Sequence, residues 1–215
     1  MYKTINLKEV QIYLINLEED HERRNAIYEW CSRLGFLNPI IVPGIRSTPH
    51  SIGLSEAHRN AIELGIESRK PFIVMEDDAF PNYEDESYII TIPEDAEAVY
   101  LGASRYGVDY DNPHTHKDPG ALFHQVNPDE LIFRVFNTLT THAILYIDKE
   151  YSLSAMDVAL KSFTTDVRPV DLAFASYLLQ NHKVYFLKPF FYQNDPKKIE
   201  QSESTKNVNP RDHLK

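Results

Sequence analysis

Apolar positions along the chain fall into short runs and helical stripes that take turns. Val10-Gln11-Ile12-Tyr13-Leu14-Ile15-Asn16-Leu17 reads as a mostly buried first strand with Asn16 marking its polar end. Ala26, Ile27, Trp30, Cys31 and Leu34 then recur at helical spacing, and Gly35 stands where a helix C-cap is expected. Ile40-Ile41-Val42 reads as a second strand stopped by Pro43-Gly44, and Ser47 to Gly53 reads as a loop. Leu54, Ala57, His58, Ala61, Ile62, Gly65 and Ile66 share one side of a predicted helix. Arg59, Asn60, Glu63, Glu67 and Arg69 share the other. Phe72-Ile73-Val74-Met75 is a short apolar strand that runs straight into Glu76-Asp77-Asp78. Strand, helix, strand, helix, strand predicts a parallel sheet with crossover helices.

The second half is less regular. Ala98 to Leu101 reads as a strand, and Gly102 to about Asp129 as a long polar loop. Leu131–Phe136 and His142–Ile147 read as strands added antiparallel to the sheet. Helices are expected over 151–161 and 172–179, a strand over 184–187, and one further short strand at 190–192. The fold class expected is therefore α/β, a mixed central sheet flanked by helices. Residues 1–195 form one domain and 196–215 a polar C-terminal tail. No repeat, heptad or second domain emerges.

Composition narrows the chemistry. The 215 residues carry a formal net charge of -10, which argues against a partner with a nucleic-acid backbone. A small phosphate-bearing ligand stays open, since it needs only a local arginine, a helix N-terminus or a cation. The single cysteine, Cys31, rules out an intrachain disulfide and a thiolate zinc cluster. No signal-like segment or membrane span is expected, so the chain reads as cytoplasmic or otherwise soluble, in a reducing compartment.

Three consecutive acids after an apolar strand repel one another. Either they are a solvated turn or a cation compensates them. In extended chain Glu76 and Asp78 face one side, so both can address one ion, while Asp77 turns to another partner. Hard oxygens suit Mg²⁺ or Mn²⁺. The junction after the first strand holds Asn16-Leu17-Glu18-Glu19-Asp20 rather than a Gly-rich phosphate loop. That argues against a Rossmann redox enzyme or a Walker-type ATPase. No Gly-x-Ser-x-Gly elbow or His-Glu-x-x-His zinc motif is present.

Three blocks carry a resemblance. They are Tyr13–Leu17 followed by Arg23-Arg24; Gly53-Leu54-Ser55-Glu56-Ala57-His58; and Phe72–Asp78. In order and spacing they resemble the "INL…RR", "G-x-x-x-S-H" and "I-x-E-D-D" blocks of the family 25 glycosyltransferases, the lipopolysaccharide and collagen galactosyltransferase type. His58 stands two residues further from its serine than in that pattern. His142–Ile147 and Pro169-Val170-Asp171 are similar to two later blocks. The resemblance spans roughly residues 10 to 195. It implies a glycosyltransferase A-type fold and a UDP-sugar donor, with galactose or glucose the expected hexose. It also implies a glycan or other hydroxyl acceptor and an inverting, metal-assisted transfer. Glu76 and Asp78 would then lie at the metal and diphosphate, and Asp171 would act as general base or at the acceptor.

Other candidates follow from position. Arg23 and Arg24, near the first turn of the first helix, can reach a diphosphate or stay solvated. Asn16 can contact a base or cap the next turn, and Asp77 joins the donor-binding set. His142 can supply an imidazole to the metal or serve structure alone. His58 and Tyr106 are acceptor-side or structural candidates; His114, His116, His124, Tyr100 and Tyr110 stand in or beside the long loop. Asp171 can equally cap the helix that follows it. Two other readings stand beside transfer of a sugar: a nucleotidyltransferase, and a non-catalytic carbohydrate-binding module on the same fold.

Overall fold

A computed structural model describes residues 1–83, 87–109, 120–126 and 131–193. The expected tail and the loop residues His114, His116 and Tyr110 lie outside these residues. Twelve strands and four α-helices follow in chain order. The strands are β1 (Tyr2–Asn6), β2 (Gln11–Asn16), β3 (Ile40–Pro43), β4 (Phe72–Glu76), β5 (Ala79–Pro81), β6 (Ile89–Pro93), β7 (Ala98–Tyr100), β8 (Leu122–Gln125), β9 (Phe133–Asn137), β10 (Ala143–Tyr146), β11 (Val184–Phe186) and β12 (Phe191–Gln193). The helices are α1 (His21–Leu34), α2 (His50–Glu67), α3 (Lys149–Thr164) and α4 (Val170–Tyr177).

Eight strands form one mixed sheet in the order β3-β2-β4-β10-β7-β11-β9-β8. β2 lies parallel to both β3 and β4, and β10 enters antiparallel between β4 and β7. The mixed sheet with flanking helices is the α/β architecture that the alternating pattern predicts. The strands read at 131–136 and 142–147 do run antiparallel to their neighbours, but not beside each other. β9 pairs with β11 and β8 instead.

Both faces of the central strands are buried, which explains their near-continuous apolar runs. Tyr13, Ile15, Phe72, Val74, Ile144 and Tyr146 share one core with Ala57, Ala61 and Ile62 of α2 and Tyr151, Ala155 and Ala159 of α3. Ile12, Leu14, Ile73, Met75, Ala143 and Leu145 share the other with Ile27, Trp30 and Cys31 of α1. On α2 the small residues Ala57, Ala61 and Gly65 repeat every fourth position and let the helix sit close to the sheet. A Cβ on Gly65 would come 2.2 Å from the Phe72 ring. That ring stacks on Tyr146 with centroids 4.9 Å apart. Gly35 ends α1 in the left-handed region, φ 78°, as its position predicts. Cys31 is buried and its thiol is pushed up to about 12 by that burial, so it is a packing residue rather than a nucleophile.

Two ribbons go beyond the sequence reading. β1 pairs with β6, and β5 with β12. β1 alternates exposed and partly buried residues only weakly, and β5 is three residues long, so neither has a readable period. β8 likewise lies inside the stretch read as loop. None of the described helices is long and apolar enough to cross a membrane.

Candidate functional site

β2, β3 and β4 run parallel, so their C-terminal ends meet at one edge of the sheet. A cleft of about 140 Å³ opens there. Asn16 and Leu17 from the end of β2, Gly44 and Ile45 after β3, and Glu76, Asp77 and Asp78 after β4 line it, with Arg23 of α1 and Leu54 of α2. Close contact makes the Gly44 position tight: a Cβ there would come 3.0 Å from the Leu17 backbone nitrogen.

The three acids are held in three different ways. Glu76 ends β4, and its Oε1 accepts from His58 Nε2 at 3.0 Å and from Thr141 Oγ1 at 2.7 Å. Burial pushes its pKa up, but the His58 hydrogen bond and charge, with the Thr141 bond, outweigh it and hold the carboxyl below its ordinary value. Oε2 of Glu76 has no hydrogen-bond partner among the described residues. Asp77 turns away, as alternation along an extended chain requires. It accepts from Asn16 Nδ2 at 2.8 Å and pairs with Arg23 Nη1 at 2.9 Å. Asp78 accepts from Gln193 Nε2 at 2.9 Å through Oδ2, while its Oδ1 is buried without a partner among the described residues. Burial, and then the neighbouring Glu76 charge, push the Asp78 carboxyl up to about 7.

Four of the donor-side candidates thus form one network. Arg24 stands behind it, donating to Asn16 Oδ1 at 3.1 Å and contacting His21 Nδ1. Arg23 lines the cleft and Arg24 does not. Asn16 is almost fully buried and also holds the Asp20 carbonyl at 3.1 Å, which fixes the turn into α1.

His58 is fully buried on the apolar side of α2. Asp171 sits in the first turn of α4, behind Pro169 as the N-cap residue. The capping expected of Asp171 is therefore displaced by two residues, and its Oδ1 takes the Leu172 N–H at 2.7 Å. Burial raises the Asp171 carboxyl, tempered by that N–H, and the Glu76 charge raises it further. Asp171 is close enough to feel the charges of Glu76 and His58, but neither Asp171 nor His58 lines the cleft.

Two candidates are placed elsewhere. Both ring nitrogens of His142 are engaged: Nε2 donates to the Phe191 carbonyl at 3.2 Å and Nδ1 contacts Thr140 Oγ1. A Cβ on Gly102 would fall 2.0 Å from this ring. The expected imidazole ligand is thus a packed structural histidine, held below its ordinary pKa by burial. Tyr106 is bound by its neighbour Arg105, whose Nη2 donates to its hydroxyl at 2.9 Å, and it does not line the cleft.

A hard cation fits what remains. Glu76 and Asp78 each offer a carboxylate oxygen without a hydrogen bond, and their repulsion is what a divalent ion relieves. Among the described residues no group of three or more His, Cys, Asp or Glu side chains is gathered for a metal. An ion held here would have at most two carboxylates from the chain, with a ligand's oxygens or water completing its shell. The sequence reading missed Thr141 and Gln193. Gln193 reaches Asp78 because β12 pairs with β5 in the register Gln193↔Ala79, a pairing no local pattern announces.

No family model matches the chain, and no curated protein matches it in sequence. Among solved structures, a glycosyltransferase involved in glycosylation of the major capsid of PBCV-1 overlaps 79% of this chain and 76% of its own, at 10% identity and a TM-score of 0.44. A nucleoside-diphosphate-sugar pyrophosphorylase from Vibrio cholerae overlaps 84% and 73%, at 11% identity and a TM-score of 0.45. A CTP:phosphocholine cytidylyltransferase from Streptococcus pneumoniae overlaps 86% and 93%, at 10% identity and a TM-score of 0.43.

Proposed function

We propose that the chain is a glycosyltransferase of the A-type fold that moves a hexose from a UDP-sugar to a hydroxyl acceptor. The observation that carries this reading is the Asp78 carboxylate. It is half-buried just past the C-terminal end of a parallel strand, where ligands gather in open α/β sheets, with one buried oxygen that has no partner among the described residues and Glu76 close by. Evolution keeps such a group, at a cost in stability, where a ligand compensates it. The resemblance of Tyr13–Leu17, Gly53–His58 and Phe72–Asp78 to the family 25 glycosyltransferases names the ligand class.

In this reading Glu76 and Asp78 would hold Mn²⁺ or Mg²⁺ at the donor diphosphate. The bound ion would offset negative charge on the departing nucleotide. Arg23 lies at the same cleft and supports the diphosphate, while Asp77, itself held by Asn16, fixes its guanidinium. His58 and Thr141 keep Glu76 ionised and oriented. Asp171 takes the proton of the acceptor hydroxyl as that oxygen attacks the anomeric carbon, and its raised pKa brings it toward the range useful to a general base. The net result is one glycosidic bond formed, the sugar–phosphate bond broken, and the nucleoside diphosphate released.

A panel of nucleotide sugars, with Mn²⁺ and with chelator, tests the reading by release of the nucleoside diphosphate. Cation-dependent release from a UDP-hexose is expected. Turnover only with a nucleoside triphosphate and a sugar phosphate would replace the reading by nucleotidyl transfer. Sugar binding with no turnover of any donor would make the chain a binding module.

A further inference from the structure

The opposite end of β4 carries a second and larger cavity, of about 720 Å³. It opens where α2 turns into β4 and where β10 turns into α3. Its polar wall holds Arg69, Lys70 and Lys149, over an apolar floor that includes Phe72 and Ile147. A volume in this range accommodates a small molecule.

The cations here differ from those elsewhere. The side chains of Arg69, Lys70 and Lys149 make no hydrogen bond, ion pair or ring contact with any described residue; only backbone atoms of Arg69 and Lys70 are bonded, within their own turn. Every other lysine and arginine among the described residues has a carboxylate, a carbonyl, another side-chain oxygen or an aromatic ring. In a chain with 32 acids and 22 bases, three unpartnered cations on two separate elements around one cavity are not expected from surface scatter. Two acids also line the cavity. Asp148 is committed to capping α3, accepting from the Tyr151 N–H at 2.9 Å, and Glu67 pairs with none of the three cations. Arg69 moreover holds a left-handed backbone, φ 57°, where glycine would sit without strain. α3 begins at the same wall, so the positive end of its dipole adds to the field.

We infer that this cavity is a second ligand site, built for a phosphate-bearing small molecule and separate from the acidic cleft. The phosphate pairs with Arg69, Lys70 and Lys149, and the apolar floor receives the body of the ligand. The site lies a whole strand length from Glu76, so the two are occupied independently of each other's charge.

Inorganic pyrophosphate, titrated into the full chain in EDTA, is the probe, followed by backbone amide shifts and calorimetry. Without a divalent ion the acidic cleft repels it. Saturable binding is expected, with shifts confined to residues 66–72 and 147–152. Arg69→Ala/Lys70→Ala/Lys149→Ala should weaken binding at least tenfold while unfolding at the same temperature, since all three side chains are exposed. Lys161→Ala, which removes a cation paired with Asp157 further along α3, should bind as the parent does. Absence of saturable binding, equal binding by the triple variant, or shifts centred on residues 76–78 would each overturn the inference.

Discussion

Asp78→Asn should make the unliganded protein more stable, and more so at alkaline than at acid pH. Folding raises the Asp78 carboxyl from 3.8 to about 7. The folded chain therefore holds a proton that the unfolded chain has already released between these values. Stability from this group is fullest below about pH 4, declines as pH rises, and reaches its minimum above pH 7. A difference of that size corresponds to about 4 kcal/mol if nothing relaxes. Asp78 is only half-buried and water screens part of the repulsion, so roughly 1–2 kcal/mol should be measurable. Asparagine keeps an oxygen for the Gln193 amide and removes the charge facing Glu76. For a domain of this size the gain corresponds to roughly 3–6 °C in melting temperature. Urea unfolding followed by tryptophan fluorescence, in EDTA at pH 5 and pH 8, reads both values. A variant no more stable than the parent at pH 8, or a gain larger at pH 5 than at pH 8, would refute the argument that Asp78 is a strained, uncompensated charge.

Asp171→Asn keeps an oxygen for the Leu172 N–H, so stability and donor affinity should hold while nucleotide-sugar turnover falls about 10²–10⁴-fold; near-normal turnover would leave Asp171 as a helix residue only. Gly65→Ala should destabilise by about 1–3 kcal/mol, because the new methyl meets a Phe72 ring pinned on Tyr146, and a urea midpoint at or above the parent's would show that the sheet yields. Tyr151→Phe should be neutral or stabilising by up to about 1 kcal/mol, since its buried hydroxyl has no hydrogen-bond partner among the described residues; a loss in thermal unfolding would reveal a bond to that oxygen.

The parallel half of the fold was legible because each of its elements carries its own signal. β2, β3 and β4 are apolar runs, α1 and α2 are apolar stripes, and Gly35 marks a stop. The place of the acid triplet was legible because a strand delivers it to the sheet edge, and the alternation that sends Asp77 toward Arg23 follows from strand geometry alone. Asn16 and Arg23 meet the triplet because they flank the same edge. Long-range pairing was not legible. Gln193 meets Asp78 through a three-residue strand, and Thr141 meets Glu76 because β10 inserts next to β4, neither of which leaves a local period. His142 misled for the same reason: its sequence position adjoins the site, but the register of β10 against β4 and β7 turns its ring to Thr140 and the Phe191 carbonyl. The cations at 69, 70 and 149 look like ordinary solvated residues until α2 and α3 are packed side by side.

The central claim is that Glu76 and Asp78 bind a nucleotide through a divalent ion. Calorimetric titration of UDP into the parent protein, with Mn²⁺ and again with chelator, tests it most directly. Binding is expected with Mn²⁺, at least tenfold weaker binding in chelator, and loss of the Mn²⁺ effect in Asp78→Asn. Equal affinity with and without the ion, or a Mn²⁺ effect that survives in Asp78→Asn, would contradict it.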